Sequence, residues 1–156
     1  MGHCSDPTNI DWPYVGIDDP TAIPLDRYIG LDKYISTVLE SGKRYVHASF
    51  NPVCTYAYAV SAKGARNVLN LAATGRGGAF DLMLLHACKD KVLDCISVNP
   101  ELFDAYHPAG GDISEVRAGD NGVAFDGAGE KAMGNTDNIL HSARCHGLWG
   151  SDCLIN

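Results

Sequence analysis

Asp18 and Asp19 are adjacent carboxylates, a combination that can hold a divalent metal ion when a buried strand aims both side chains at it. The segment before them, residues 14–17, is short and contains a glycine, and Pro20 follows directly. An exposed turn therefore fits this pair better than a metal site.

Histidines, which serve both in acid–base chemistry and as zinc ligands, occur at six scattered positions: His3, His47, His86, His107, His141 and His146. The chain has no His-x-x-x-His pair and no Cys-x-x-Cys beside a histidine, so the spacing disfavours a structural zinc site. Cys54 with His47 could form a thiol nucleophile and its base, but no oxyanion-hole or elbow pattern surrounds Cys54. We therefore predict that Cys54 is a packing residue.

Residues that could bind a substrate lie in two places. Tyr56 and Tyr58 share one face of a predicted strand, where they could stack on a sugar ring or be core aromatics with tethered hydroxyl groups. Asn99, Glu101 and His107 lie at or after the end of another predicted strand, where α/β sheets often bind ligands. His107 could approach donor phosphates or a metal, or be a solvated loop histidine.

A strand followed by a helix is predicted to carry the two tyrosines. Residues 56–60 are an aromatic and β-branched run, which indicates a strand. Ser61 follows, with a side-chain oxygen that can accept from the free N–H groups of a new helix. Apolar residues then recur at helical spacing, so that one helix face should pack on the strand: Ala65, Val68, Leu69 and Ala72.

A second unit has the reverse order, helix then strand. Residues 80–89 are predicted to be a helix with Asp81 in its first turn, where a carboxylate can cap free amides and meet the positive end of the dipole. Residues 93–98 are predicted to be a strand. A glycine-rich turn at residues 75–78 joins the two units, and the layout indicates an α/β fold.

The remaining segments have weaker patterns. Residues 5–27 are rich in proline and aspartate, which predicts a long irregular loop. A short helix is predicted at residues 31–39 and a strand at residues 45–50. Residues 107–135 hold seven glycines and no sustained period, which predicts a mobile surface segment within a single domain spanning residues 1–156.

The composition excludes several functional classes. With 46% hydrophobic and 20% charged residues, the chain is neither disordered nor membrane-spanning by composition. A net charge of −7 and the lack of a Lys/Arg cluster argue against binding to nucleic acid. The sequence has no long apolar run and no signal-peptide pattern, so we expect no membrane segment, and the missing signal by itself favours the cytoplasm.

Six cysteines permit fifteen disulfide pairings. Cys88 and Cys95 bracket a predicted helix-to-strand turn, and Cys145 and Cys153 bracket a glycine-containing loop, so each pair is a plausible clip. The alternative is that the cysteines are buried free thiols that act as small hydrophobic residues.

Five separated segments resemble glycosyltransferase family 25, which includes lipopolysaccharide and procollagen galactosyltransferases, and the chain is most similar to the family's uncharacterised fungal members. The segments are residues 54–65, 80–84 and 95–103, together with Gly2-His3-Cys4 at the start and residues 136–139 in the tail. No single segment is specific to the family, but the occurrence of all of them in the same order along the chain is. The resemblance covers the C-terminal half of the family's domain.

The resemblance implies a nucleotide-sugar fold of the GT-A type, of which this chain would be the acceptor-side half. It implies inverting transfer of a hexose, with galactose from UDP-galactose as the expected donor, to a glycan or protein hydroxyl. Asp81 would be the base that takes the acceptor's proton, although Ala-Phe replaces the family's Pro-Val before it; the alternative role is a helix cap. Tyr56, Tyr58, Asn99, Glu101 and His107 would bind substrate.

The resemblance also implies a cofactor, a compartment and an alternative function. Mn²⁺ or another divalent ion would neutralise the departing nucleotide phosphates, and its acidic ligands are expected upstream of this chain. Family members commonly work in the secretory pathway. A chain without the donor half could instead be a non-catalytic remnant that binds glycan or protein, and its uncovered apolar surface predicts a homo-oligomer.

Overall fold

The computed structural model describes residue 6 and residues 13–29, 39–75, 78–109 and 132–155. Over these ranges the protein is a mixed α/β structure with two three-stranded sheets. The strands are β1 (Tyr14–Asp18), β2 (Lys43–Ala48), β3 (Ile96–Asn99), β4 (Tyr106–His107), β5 (Asn135–Thr136) and β6 (Leu154–Ile155), and the helices are α1 (Ala62–Ala72), α2 (Phe80–Lys89) and α3 (Ala143–Trp149).

The first sheet has the order β1-β2-β3 and is antiparallel throughout. Its central strand, β2, buries Tyr45 and His47, which are two residues apart and therefore lie on one face. Tyr45 packs against Leu39 and Leu25, and its ring meets that of Tyr14 edge-on with 5.6 Å between centroids. This face of β2 is the inner face of the sheet.

Helices α1 and α2 pack against each other, whereas the sequence predicted that α1 packs on the strand before it. Ser61 caps α1 by accepting a hydrogen bond from Gly64 N at 3.0 Å. The apolar cluster between the helices is centred on the buried residues Leu84, Ala87 and Leu93, against which α1 places Val68. Both predicted helices are confirmed.

A buried polar network joins the inner face of the first sheet to the start of the chain. It consists of Asp6, His47, Ser49, Ser97 and Asn99, each at most 3% exposed. The Asp6 carboxylate accepts from Phe50 N, Asn51 N and the Ser97 hydroxyl. We call these five residues the Asp6 network.

The second sheet, in the order β4-β5-β6, is fastened by aromatic contacts from α3. The indole of Trp149 stacks on the ring of Tyr106 with 6.4 Å between centroids, and the Arg144 guanidinium lies 4.5 Å from the same ring centroid. Because Tyr106 belongs to β4, these contacts fix β4 against α3.

Two disulfides connect neighbouring elements. Cys88–Cys95 joins α2 to β3 with 5.5 Å between Cα atoms, and Cys145–Cys153 joins α3 to the start of β6 with 5.3 Å. Both disulfides that the sequence made plausible are therefore present. Cys54 is also disulfide-bonded, which excludes its use as a free thiol nucleophile.

Several predicted elements are wrong. Residues 56–60 form no strand: Cys54 adopts a left-handed conformation with φ 67°, which turns the chain just before them, and Ala57 makes only an isolated bridge. Leu69, predicted on the packed face of α1, is 68% exposed, because the strand predicted to cover it, residues 56–60, does not form. The predicted irregular loop at residues 5–27 contains β1, which the pairing with β2 holds extended.

Other predicted boundaries shift or cannot be compared. The strand predicted at residues 93–98 begins at Ile96, and the tail contains α3 and β6. Residues 31–38 of the predicted helix, residues 76–77 of the glycine-rich turn and residues 110–131 of the predicted mobile segment lie outside the described residues. None of the described helices is long and apolar enough to cross a membrane.

Candidate functional site

Two carboxylates meet at one end of the β4–β5 pair. β4 and β5 are antiparallel, with Tyr106 opposite Thr136. Asp104 lies just before β4 and Asp137 just after β5, so the pairing brings both to the same end. His107 Nε2 lies 3.5 Å from Asp137 Oδ2.

The close approach of the two strands depends on a glycine. A Cβ atom at Gly134 would lie only 2.0 Å from the carbonyl oxygen of His107, and Gly134 N donates to the Tyr106 hydroxyl at 2.8 Å. A side chain at this position would push β5 away from β4. The pairing of β4 with β5 therefore requires a glycine at position 134 of the glycine-rich segment.

Asp104 is half-buried and held by backbone amides. Its Oδ1 accepts from Ala105 N at 2.7 Å, and the backbone N–H of Asn138 donates to the same carboxylate. Burial raises the pKa of Asp104, and the negative charge of Asp137 adds to the rise, while the two amide bonds and His107 oppose it. A carboxylate with a raised pKa is a better proton acceptor near neutral pH.

Glu101 lies behind Asp104 and is 2% exposed. Its carboxylate accepts from the Tyr28 hydroxyl at 2.5 Å and from Asn138 Nδ2 at 2.7 Å. Burial raises the pKa of Glu101, and these hydrogen bonds oppose part of the rise. The hydroxyl of Tyr28 has a raised pKa for the same reason, burial first and then the adjacent Glu101 carboxylate.

Tyr56, which is 43% exposed, lies near enough to these acids for their charges to act on its hydroxyl. Burial of its hydroxyl raises the pKa of Tyr56, and the charges of Asp104, Asp137 and Glu101 raise it further. We call Tyr56, Glu101, Asp104, His107 and Asp137 the Asp104 cluster. It offers carboxylate acceptors, an imidazole and an accessible aromatic ring at one surface.

Comparison of the chain with family models, with curated proteins and with solved structures gives no match. The membership of glycosyltransferase family 25 that the sequence suggests therefore stays a prediction, and the site must be judged on its own geometry.

The structure brings together three of the five predicted substrate-binding residues, namely Tyr56, Glu101 and His107. Asn99 is fully buried, and its Nδ2 lies 2.7 Å from the backbone oxygen of Asp6 and 3.0 Å from His47 Nε2. Its role is therefore in the Asp6 network. Glu101, although in the cluster, is too buried to contact a ligand directly and acts by positioning Asn138 and Tyr28.

Tyr58 has different neighbours from Tyr56. Its ring lies 6.2 Å from that of Phe80, between centroids, and it lines a cleft of about 310 Å³ bounded by α1 and the start of β3. Because residues 56–60 are not a strand, the two tyrosines do not share a strand face.

Asp81 lies in the first turn of α2, as predicted, and is partly buried. The N-cap position itself is Ala79, and Asp81 Oδ1 accepts from the backbone N–H of Leu82 at 2.9 Å. Asp81 lines neither the cleft beside Tyr58 nor a second one, of about 420 Å³, beneath α2. Its role as a base stays a prediction.

The Asp18–Asp19 pair lies only partly in the predicted turn: Asp18 is the last residue of β1, opposite Lys43, and Asp19 leads into the turn that begins at Pro20. Asp19 Oδ1 accepts from Thr21 N at 2.8 Å and from Thr21 Oγ1 at 2.6 Å, while Oδ2 pairs with Arg44 Nε. Arg44 in turn donates from Nη1 to the carbonyl oxygens of Pro100 and Glu101, at 2.8 Å each. Asp19 therefore anchors a structural arginine, and its oxygens are already engaged.

We expect the Asp19 interaction to make stability depend on acid pH. Hydrogen bonds from Thr21 and then Arg44 lower the pKa of Asp19 from 3.8 to about 2. The stabilisation is present above the pKa of Asp19 in the unfolded chain and is lost as the pH falls through its pKa in the folded protein. After allowance for screening by solvent, it amounts to about 1–2 kcal/mol. Asp19→Asn should therefore lower the free energy of unfolding by this amount at pH 7, and urea denaturation should show the gap closing near pH 2.

Asp18→Asn is the matched control, because Asp18 is the exposed neighbour of Asp19. Its effect should stay within about 0.5 kcal/mol at pH 7. Equal effects of the two substitutions would contradict the special role of Asp19.

The expectation that the histidine spacing disfavours a structural zinc site stays a prediction, but two histidines do meet a carboxylate at one place. His141 and His146, five residues apart, converge with Asp152 into a group whose ligand atoms all lie within 4.8 Å of one another. One sequence feature could have pointed to this group. Cys145 and Cys153, which form a disulfide, are the neighbours of His146 and Asp152 in the chain. Spacing rules for histidines on one helix could not find it, because only His146 lies inside α3.

Proposed function

We propose that this chain is the acceptor-side part of an inverting hexosyltransferase and that the Asp104 cluster binds sugar hydroxyls. The reaction class, with UDP-galactose as donor and a glycan or protein hydroxyl as acceptor, comes from the resemblance. The observation that carries the binding site is the convergence of Asp104, Asp137 and His107 at one end of the β4–β5 pair, with Tyr56 near enough to feel the charges of both acids.

The chemistry of the Asp104 cluster suits a carbohydrate. Sugar hydroxyls need hydrogen-bond acceptors, which carboxylates provide, and a flat aromatic ring can cover the apolar face of a sugar. The partial burial of Asp104 makes each such hydrogen bond stronger than in open water. The net charge of −7 is also compatible with a neutral glycan ligand.

The geometry offers two positions for the base of an inverting transfer. In that reaction a base takes the acceptor hydroxyl's proton while its oxygen attacks the anomeric carbon from the face opposite the departing nucleotide. Asp81 is the residue that the resemblance implies. Asp104 is the residue that its surroundings favour, because burial raises its pKa and His107 and Asp137 lie beside it.

The pair of adjacent carboxylates that the sequence offers as manganese ligands does not fit the metal site of such an enzyme. The adjacent carboxylates Asp18 and Asp19 would be the natural ligands, but Asp19 is held by Thr21 and Arg44. The proposal therefore assigns only acceptor binding and proton transfer to this chain. Its disulfides favour an oxidising compartment such as the secretory pathway.

A second candidate is a glycan-binding module without transferase activity. The observation that favours it is the position of Asp81, which lines neither described cleft and contacts the adjacent backbone. In this case the Asp104 cluster would bind sugar and no nucleotide would be released.

The two candidates are separated by measuring glycan binding and UDP release on the same samples. Binding would be followed on a glycan array and by calorimetry, and release with UDP-galactose, MnCl₂ and the bound glycan. Asp137→Asn should weaken glycan binding by about 10-fold or more, because it removes one charged hydrogen-bond acceptor. Asp26→Asn, at an exposed site on the one-turn helix Leu25–Arg27, is the control and should bind like the native protein.

Each outcome assigns or excludes a role. UDP release that Asp104→Asn abolishes and Asp81→Asn spares would make Asp104 the base, and the reverse would make it Asp81. Glycan binding without UDP release would establish the binding module. Neither binding nor release, in protein that melts cooperatively, would contradict both candidates.

A further inference from the structure

We propose that His141, His146 and Asp152 form a binding site for a divalent transition metal, with Zn²⁺ as the best match. His141 Nδ1 lies 2.8 Å from Asp152 Oδ1, and His146 Nε2 lies 2.6 Å from the same oxygen. Two imidazole nitrogens and one carboxylate oxygen therefore converge on one point. This inference does not depend on the proposed glycosyl transfer.

The chemistry of these three ligands selects the metal. Two imidazoles and one carboxylate form a ligand set that zinc takes in proteins, whereas Mg²⁺ and Ca²⁺ prefer oxygen ligands alone. Three protein ligands leave a fourth position of a tetrahedron open to water. All three side chains are between 42% and 50% exposed, so water can reach that position.

The two distances to the Asp152 oxygen require only a small adjustment to accept the ion, while the two nitrogens lie within 4.8 Å of each other and can approach by side-chain rotation. Ligands at about 2.0–2.1 Å from a tetrahedral zinc lie roughly 3.3 Å from one another. The two nitrogens are now closer than that to the Asp152 oxygen, since they share hydrogen bonds with it. An outward movement of roughly half an ångström by exposed side chains would replace these hydrogen bonds with metal bonds.

Three local features fix the backbone that carries the three ligand side chains. Ser142, directly after His141, caps α3 by accepting from Cys145 N. Gly150 ends the helix in a left-handed conformation with φ 70°. The Cys145–Cys153 disulfide joins the neighbours of His146 and Asp152, so these two ligands cannot separate far. Preorganisation of this kind lowers the entropy cost of binding.

An ion pair offers a different account of the same geometry. Hydrogen bonds from His141 and then His146 lower the pKa of Asp152, as an ion pair between histidine and carboxylate would require. The two accounts differ in their response to zinc. A purely structural ion pair would give no metal-dependent signal.

The test is calorimetric titration of ZnCl₂ into the untagged, disulfide-bonded chain at pH 7.5. We expect one zinc per chain. His146→Asn and Asp152→Asn should each weaken zinc binding by roughly 100-fold or more, because loss of a direct ligand costs more than loss of its supporting hydrogen bond, which is typically 10–100-fold. His86→Asn removes an exposed histidine of α2 and should bind zinc like the native chain.

Side-chain ¹⁵N spectra of the native chain supply a second readout that needs no variant. Zinc should shift the Nδ1 resonance of His141 and the Nε2 resonance of His146, and leave the His86 ring unchanged. No zinc-dependent heat, or equal affinity in His146→Asn and native protein, would overturn the proposal. Shifts confined to other histidines would overturn it as well.

Discussion

Replacement of Asp6 by alanine is expected to lower the free energy of unfolding by about 3–5 kcal/mol. The Asp6 side chain is fully buried and accepts from Phe50 N at 3.0 Å, from Asn51 N at 2.7 Å and from the Ser97 hydroxyl. Alanine would leave two backbone amides without their acceptor in a place that water does not reach, and would leave the Ser97 hydroxyl only Ser49 Oγ as a partner. Each such loss costs about 1–3 kcal/mol.

Asp6→Asn should be milder, at about 1–2 kcal/mol. Its amide oxygen can still accept from the two backbone amides, and its NH₂ group can donate to Ser97, whose hydroxyl can turn toward Ser49 Oγ at 2.6 Å. Asp26→Ala, at an exposed position, should change stability by less than about 0.5 kcal/mol. Urea denaturation of the three variants at pH 7 gives the ranking, and an alanine variant no worse than the asparagine variant would contradict this account.

The Asp6 network also illustrates what sequence reasoning could not reach. Asp6 lies 91 residues from Ser97 and 93 from Asn99 along the chain, and no local pattern links them. The residues before Pro7 predict only an extended shape. The network arises because β2 lies between β1 and β3, an arrangement set by long-range pairing that short-range periodicity does not encode.

Local signals, in contrast, predicted the two longest helices well. Ser61 marks the start of α1 by a cap that involves Gly64 three residues on. The segment of α2 has apolar residues at helical spacing, and the observed bounds, Phe80–Lys89, agree with the predicted ones. Cysteines seven and eight residues apart made two disulfides plausible, with buried free thiols as the alternative, and the structure contains both disulfides.

The candidate site was predicted only in part, for the same physical reason. Glu101 and His107 follow β3, so their position near a strand end could be read from the sequence. Asp104 and Asp137 were missed as site residues because they meet through a pairing of two-residue strands, β4 and β5, which lie in a segment without a strand pattern. The glycine that permits this pairing, Gly134, was counted as evidence for mobility.

Glu101→Ala is the second substitution with a large expected effect, about 3–4 kcal/mol of stability. The Glu101 carboxylate joins Tyr28, 73 residues away in sequence, to Asn138, 37 residues away. Asn138 also exchanges hydrogen bonds with the backbone of Ile29, so the three segments are tied at one point. Alanine would leave a buried hydroxyl and a buried amide without their acceptor and would open a cavity.

Glu101→Gln should behave differently, because it keeps the shape and removes the charge. The glutamine oxygen can accept from Asn138 Nδ2, and its NH₂ group can donate to the Tyr28 hydroxyl, which is able to accept. We expect this variant to lie within about 1 kcal/mol of the native protein at pH 4.5.

The comparison of the glutamine variant with the native protein then depends on pH in a defined direction. Burial raises the pKa of Glu101 above its ordinary 4.5, so the folded state keeps this proton to a higher pH than the unfolded state does. The native protein therefore loses stability as pH rises from about 4.5 through the raised value, whereas Glu101→Gln has no such proton to lose. Urea denaturation at pH 4.5, 6 and 8 should show the variant gaining on the native protein as pH rises above 4.5, with the gain ending once pH exceeds the raised pKa of Glu101. The contrary result is a difference in free energy of unfolding that stays constant with pH or moves in favour of the native protein. It would mean that the hydrogen bonds from Tyr28 and Asn138 fully compensate the burial of the ionised Glu101 carboxylate.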